Sequence, residues 1–248
     1  MSYQNKFNWQ IRIFIAFYIK KDKTEYMNIQ PLNINFFKNQ TSTLKRKSIS
    51  FGEIPIYQIN LKQKNKDGQY SFIPACFSKI NNKDKEDIVL MEKIGNYWSR
   101  KPRETSYGIT VSNNFLWAAC DNNFYIIEKS DKSKNTYRKT TCIMETTPVD
   151  SEDKSMFRIF LLQSHPEIAR KQHPKIKGSG ELALYGGVKE AKEHGFESVQ
   201  LLSANNSFYE HMGFTPMGKY RQNWYELPSS EFDKFLERIE KKYGMKKE

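Results

Sequence analysis

Six consecutive residues, Lys175-Ile176-Lys177-Gly178-Ser179-Gly180, constrain this chain more than any other stretch. An apolar run at residues 157–162 leads toward them, and a helix-like stretch at residues 181–194 leads away and ends at Gly195. Strand, glycine-containing loop, then helix is how a chain points several backbone N–H groups at one anion. The first N–H groups of a helix have no intrahelical partner, and that end carries roughly half a positive charge. Gly178 and Gly180 lack a Cβ, so a bulky ligand can lie against the backbone. Lys175 and Lys177 add charge beside it. These residues are a candidate diphosphate cradle; a tight strand-to-helix turn with two glycines is the simpler reading of the same letters. Two other cradles fit poorly. A nucleotide P-loop needs Lys-Ser/Thr after its last glycine, where Glu181-Leu182 stand. A dinucleotide fingerprint needs a third glycine where Ala183 stands.

The residues beyond the helix strengthen the case for a ligand. Ser198-Val199-Gln200-Leu201-Leu202-Ser203 reads as a short buried strand, and Asn205-Asn206-Ser207-Phe208-Tyr209-Glu210-His211-Met212-Gly213-Phe214 comes next. In that order the chain resembles the GNAT family of acyl-CoA-dependent N-acetyltransferases. The family's loop, Arg/Gln-x-x-Gly-x-Gly/Ala, is matched by Lys175, Gly178 and Gly180. Its later signature, Asn followed by Tyr-x-x-x-Gly-Phe, is matched by Asn205 or Asn206 with Tyr209, Gly213 and Phe214. Ser164-His165-Pro166-Glu167 also looks like the His-Pro-Glu piece that often closes the family's fourth strand. Two departures stand out. Lys175 replaces Arg or Gln, keeping charge without the planar fork, and residues 167–174 enlarge the loop before it.

The resemblance implies an α/β (α+β) fold with a mixed, mostly antiparallel central sheet flanked by helices. It implies acetyl-CoA as co-substrate and a primary amine as acceptor, on a protein lysine, a protein N-terminus or a small molecule. Acetyl transfer needs a neutral amine, a stabilised oxyanion and a protonated leaving thiolate. By resemblance, Leu162, Gln163 and Ser164 line the pantetheine arm, and the N–H groups of Lys177, Gly178, Ser179, Gly180 and Glu181 receive the pyrophosphate. Tyr209 is the expected general acid: a phenol near pKa 10 keeps its proton at neutral pH and can pass it to a thiolate. Packing of a short helix is the competing role for Phe208-Tyr209. Asn205 or Asn206 either bonds the pantetheine or caps that helix, with capping favoured for Asn206. Glu145 is the first candidate base, ahead of Glu167 and His165, and ordered water can replace all three.

Bulk properties bound the rest. Up to Asp67 there are twelve bases against four acids, so +8 of the net +12 falls in the first quarter of 248 residues. Residues 1–50 therefore read as a basic extension, and residues 51–248 as the acetyltransferase domain, with its motifs in 157–227. Such an extension suits RNA, an acidic membrane surface or an acidic partner, or simply solubility. Two other function classes stay open: a CoA-binding regulatory module without turnover, and an acetyltransferase directed at RNA or aminoacyl-tRNA. Cys76, Cys120 and Cys142 lie far apart without CxxC spacing, which points to a reducing, cytoplasmic setting and no metal site. The apolar stretch at residues 11–19 is too short to span a bilayer and contains Arg12, and Lys20 and Lys21 come after it, so no export signal of that kind is read.

Alternation of Tyr57, Ile59 and Leu61 with polar residues predicts a strand, Lys66-Asp67-Gly68 a hairpin turn and residues 70–77 the returning strand. Residues 81–98 read as a helix, 115–120 and 124–127 as a hairpin, and 140–146 and 157–163 as a second strand pair. A last hairpin spans 214–220 and 223–227. Ser230 and Asp233 resemble a capping box before an apolar stripe of Phe232, Phe235, Leu236 and Ile239. That helix lies beyond the usual family core and packs against it or against a second copy of the chain, as in a homodimer. Its glutamates loosely resemble the acidic C-terminal signals of bacterial type IV-secreted effectors, a pattern ordinary helices share.

Overall fold

The computed structural model describes residues 54–81, 83–99, 122–130, 136–169, 174–218 and 223–245. All of them belong to one compact unit, Ser48–Glu248. The basic extension, the apolar stretch at 11–19, the strand expected at 115–120 and the end of the last hairpin at Tyr220 lie outside the described residues. In chain order the elements are β1 (Ile54–Lys64), β2 (Tyr70–Ile80), α1 (Lys85–Ser99), β3 (Asn123–Lys129), α2 (Thr136–Lys139), β4 (Thr140–Thr146) and β5 (Phe157–Ser164). After them come α3 (Pro166–Ala169), β6 (Ile176–Lys177), α4 (Ser179–Glu193), β7 (Ser198–Leu202), α5 (Asn206–His211), β8 (Thr215–Pro216), β9 (Trp224–Pro228) and α6 (Phe232–Tyr243).

The nine strands form one sheet in the order β6-β1-β2-β3-β4-β5-β7-β9-β8. Every pairing is antiparallel except β5 with β7. This is the mixed, mostly antiparallel sheet with flanking helices that the motifs called for. No described helix is long and apolar enough to cross a membrane.

Two apolar layers cover the sheet. On one face β1–β5 and β7 pack Leu61, Phe77, Tyr125, Met144, Phe157 and Val199 under α4 and α6. On the other, Ile80, Phe124, Ile126 and Ile143 meet Leu90, Met91, Ile94 and Trp98 of α1. Those four α1 positions repeat at helical spacing, and the Asp84 carboxylate caps the helix by accepting from the Glu86 N–H at 2.7 Å. The turn expected at Lys66-Asp67-Gly68 is present, with the Asn65 N–H donating to the Gln69 carbonyl at 2.7 Å.

The Gly186-Gly187 pair inside α4 has a packing reason. A Cβ on Gly186 would lie 2.6 Å from the Phe77 ring. That ring is stacked between Tyr57 and Tyr125, with centroids 5.9 and 4.9 Å away, so it cannot retreat. Buried hydrogen bonds fix the same helix: the Tyr57 and Tyr125 hydroxyls donate to the Glu190 side-chain oxygens at 2.7 and 3.0 Å. Gly186→Ala gains about 1 kcal/mol of helix propensity, but overpacking a dense core costs about 1–3 kcal/mol. The net expectation is a Tm lower by a few degrees in a thermal melt; an unchanged or raised Tm would mean the close approach is absent.

Two local expectations differ from what is found. Ser230 and Asp233 form no capping box: Ser229–Glu231 is a 3-10 turn, and α6 starts after Glu231 with no side-chain cap. The helix is held instead by its apolar face and by polar ties to α4, including Tyr185 Oη to Glu240 Oε1 at 3.0 Å and the Lys192–Asp233 ion pair. The strand leading into the glycine loop is also not β5 directly. The α3 turn and β6 intervene, and β6 pairs with the outer edge of β1, Lys177 opposite Lys62.

Candidate functional site

The site begins with an irregularity in β5. Along its β4 side, the partners run Thr146↔Ile159 and then Glu145↔Leu161, so Phe160 is an extra residue, a β-bulge. Because side chains alternate along a strand, one inserted residue exchanges the faces. Phe157 and Ile159 point into the layer beneath α4, and beyond the bulge Leu162 joins that same layer while Leu161 joins the α1 layer.

On its other side β5 leaves its neighbour. It pairs with β7 only through Phe157↔Val199, Arg158↔Gln200 and Ile159↔Leu201. Its pairing with β4 continues to Ser164, opposite Cys142. Residues 160–164 therefore present one strand edge without a β partner among the described residues. Strands that part in this way leave N–H and C=O groups available for an extended ligand.

The glycine turn and α5 converge on this opening. A Cβ on Gly180 would sit 3.4 Å from Ser164 Oγ and 3.5 Å from the Phe208 ring. Gly180 in the first turn of α4 thus faces both the end of β5 and α5. No described side chain caps α4. The Ser179 hydroxyl in that turn is 1% exposed and has no hydrogen-bond partner among the described residues. Gly178 differs from expectation. It has φ +98°, and the space its Cβ would take is filled by the Tyr243 ring at 2.5 Å. Its missing side chain admits α6, not a ligand, and the open approach belongs to Gly180. The loop lysines lie on the β1 side: the Lys175 carbonyl accepts from the Lys64 N–H at 2.8 Å, and Lys177 Nζ stands 4.2 Å from the Tyr70 ring centroid.

Tyr209 comes from α5 and is 8% exposed. Burial, followed by the nearby Cys142 sulfur, raises its phenol above the ordinary value. Cys142 is itself fully buried, its thiol pushed up to about 12 by desolvation, and Ser164 Oγ donates to its sulfur at 3.8 Å. Contacts thus run from Gly180 to Ser164 and on to Cys142, which shares the apolar layer with Tyr209. The cap of α5 is Asn205, not Asn206: the Asn205 side chain accepts from the Phe208 N–H, whereas Asn206 Nδ2 donates to Asn223 Oδ1 at 3.3 Å on the surface. Asn205 holds a non-helical backbone conformation suited to that role, which the next residue in a run of two asparagines cannot share.

Glu145 lies on the opposite face of β4 from Cys142, 7% exposed, with Oε1 accepting from Asn122 Nδ2 at 2.8 Å. It borders the same β4–β5 pair as Tyr209 but is not beside it. Gln163, two residues beyond Leu161, has a buried Oε1 without a partner among the described residues. His165 is buried beside α1, edge-on to Trp98 at 5.4 Å, and its Nδ1 accepts from the Glu167 N–H at 3.1 Å. That bond puts the proton of a neutral imidazole on Nε2 and gives His165 the job of shaping the turn after β5. The α6 residues Lys242 and Tyr243 were not singled out from sequence, yet both reach Glu181 Oε2, at 2.6 and 3.0 Å. Tyr243 lies four residues after Ile239, so extending the apolar stripe by one helical turn would have found it.

No protein-family model and no curated protein matches the sequence. Solved structures to which the chain is similar include AtaTR bound with acetyl-CoA, 10% identical over 65% of this chain and 98% of that chain, with a TM-score of 0.48. Tetrahymena GCN5 is 12% identical over 61% and 94%, with a TM-score of 0.42. A domain from Methanocaldococcus jannaschii is 16% identical over 62% and 97%, with a TM-score of 0.41.

Proposed function

We propose that the chain is a GNAT-type N-acetyltransferase that moves an acetyl group from acetyl-CoA to a primary amine by direct attack on the thioester. One observation carries the reading. The open edge of β5 at residues 160–164 meets the uncapped first turn of α4 at Ser164 and Gly180. An extended amide-containing arm fits the first and a diphosphate the second, and coenzyme A is a molecule with both parts. The orphaned Ser179 hydroxyl is a further donor in that turn.

In this reading the amides of Ser179, Gly180 and Glu181 hold the diphosphate, with Lys175 and Lys177 contributing charge, and Leu162, Gln163 and Ser164 line the arm. Acetyl-CoA supplies the activated acyl thioester. Tyr209 holds a proton for the departing sulfur, and its raised affinity for that proton keeps the phenol neutral across physiological pH. Glu145 takes the proton of the amine from the other face of the β4–β5 pair, directly or through water. The acceptor is a lysine, an N-terminus or a small amine.

Acetyl-CoA at about 100 times its Kd is expected to stabilise the protein by about 2.7 kcal/mol, raising Tm by roughly 5–10 °C. Incubation with labelled acetyl-CoA and lysate is expected to label a discrete acceptor. No shift would remove the cofactor assignment. A shift without any labelled product would instead favour a regulatory CoA-binding module.

A further inference from the structure

The last helix touches the phosphate end of the site through a residue of α4 itself. Glu181 is the third residue of α4. A glutamate there ordinarily folds back onto the amides of its own helix start, the reciprocal half of a capping box. In that position it would occupy donors that an anion needs and would repel the anion as well. Here it does neither. Its Oε2 is held by Lys242 Nζ at 2.6 Å and by Tyr243 Oη at 3.0 Å, both from the last turn of α6.

The arrangement is anchored on every side. Tyr243 is 1% exposed, its ring against Gly178. Asn60 of β1 donates to the Tyr243 and Gly244 carbonyls at 3.2 and 3.3 Å, fixing the end of α6 at the β1 edge. Lys62 Nζ lies 5.2 Å from the Tyr243 ring, adding a second cation nearby. Meanwhile the α4 turn has no side-chain cap and contains the buried, unpartnered Ser179 hydroxyl. A first turn with its own glutamate drawn aside and a donor waiting is built for an incoming anion.

We infer that Lys242 and Tyr243 are positioning residues for the cofactor's phosphates: α6 draws the Glu181 carboxylate away from the start of α4 and so leaves that turn open to a diphosphate. The inference rests on the proposed acetyl-CoA reading, and it makes the C-terminal helix a requirement for cofactor affinity. Lys242 acts through Glu181 and not by touching the phosphates.

Calorimetric titration of the full chain with CoA, and with phosphate-free pantetheine, tests this. Lys242→Ala is expected to weaken CoA about tenfold, about 1.4 kcal/mol, and to leave pantetheine affinity unchanged. The double variant Glu181→Gln/Lys242→Ala is expected to return to within about twofold of the parent, because a neutral side chain no longer needs holding. Lys242→Arg keeps the ion pair and serves as the conservative control. Unchanged CoA affinity in Lys242→Ala overturns the inference. So does a loss that the double variant fails to recover, which would mean that Lys242 meets the phosphates itself. An equal loss for pantetheine, or a loss tracking a lower Tm of the free protein, would mark a role in folding and overturn it too. A parent protein that binds no CoA removes the acetyl-CoA reading as a whole, whereas a binding parent with indifferent variants removes only this step.

Discussion

Tyr209→Phe is expected to lower turnover by about 100-fold or more while acetyl-CoA affinity changes less than about twofold. The substitution removes one oxygen. Phenylalanine keeps the ring contacts with Phe208, Phe214 and Tyr225, whose centroids stand 5.0, 6.2 and 6.3 Å away. The Tyr209 hydroxyl itself makes no hydrogen bond to a described residue, so its loss leaves no orphaned partner and stability should hold. A group that donates a proton in the transition state is worth about 10²–10⁴ in rate. Steady-state kinetics with titration of acetyl-CoA separates the two quantities. A fall in affinity equal to the fall in turnover would make Tyr209 a wall of the site, and near-normal turnover would exclude it as an essential acid.

The two loop glycines should fail in different ways. Gly178→Ala forces a side chain into a left-handed backbone, at about 1–2 kcal/mol, and drives a Cβ to 2.5 Å from a buried ring. Together these exceed about 3 kcal/mol, and the expected result is a Tm at least several degrees lower, with or without ligand. Gly180→Leu has room at its Cβ, with ordinary contacts of 3.4 and 3.5 Å, and the rest of the side chain projects into the opening. It should melt close to the parent and lose the stabilisation by acetyl-CoA. If Gly180→Leu keeps that stabilisation, the cofactor lies elsewhere. If Gly178→Ala melts normally, the Tyr243 contact is not as described.

Much of this architecture could be anticipated because local signals agreed with each other. The strand at Tyr57, Ile59 and Leu61, the turn at Gly68, the helix after the glycine loop and the β4–β5 pair each announced themselves through spacing. The family resemblance puts the glycine loop and Tyr209 at one site, and the structure brings Gly180 beside Ser164 and Phe208, the residue before Tyr209. The hidden part depends on contacts between distant residues. Nothing in the letters Gly178 and Gly180 says that one faces α6 and the other the opening; the docking of α6 decides it. The same holds for Glu190, which looks like one more surface acid of an amphipathic helix until Tyr57 and Tyr125 arrive from two strands. Asn205 and Asn206 are equal as caps by type, and only backbone geometry chooses between them. The bulge at Phe160 has no residue signature either, since the mismatch belongs to two strands at once.

That bulge has a consequence for how the protein tolerates change. A substitution at Phe160 alters one side chain, and deleting that residue would change no facing beyond it. Ile159 and Leu161 already pair with consecutive residues of β4, Thr146 and Glu145, so Leu162 would stay under α4 and Leu161 on the α1 side. What would go is the local bend and extra twist that an unpaired residue gives its strand, at the point where β5 parts from β7. In this stretch a lost codon would spare the orientation of the wall and act on the width of the cleft.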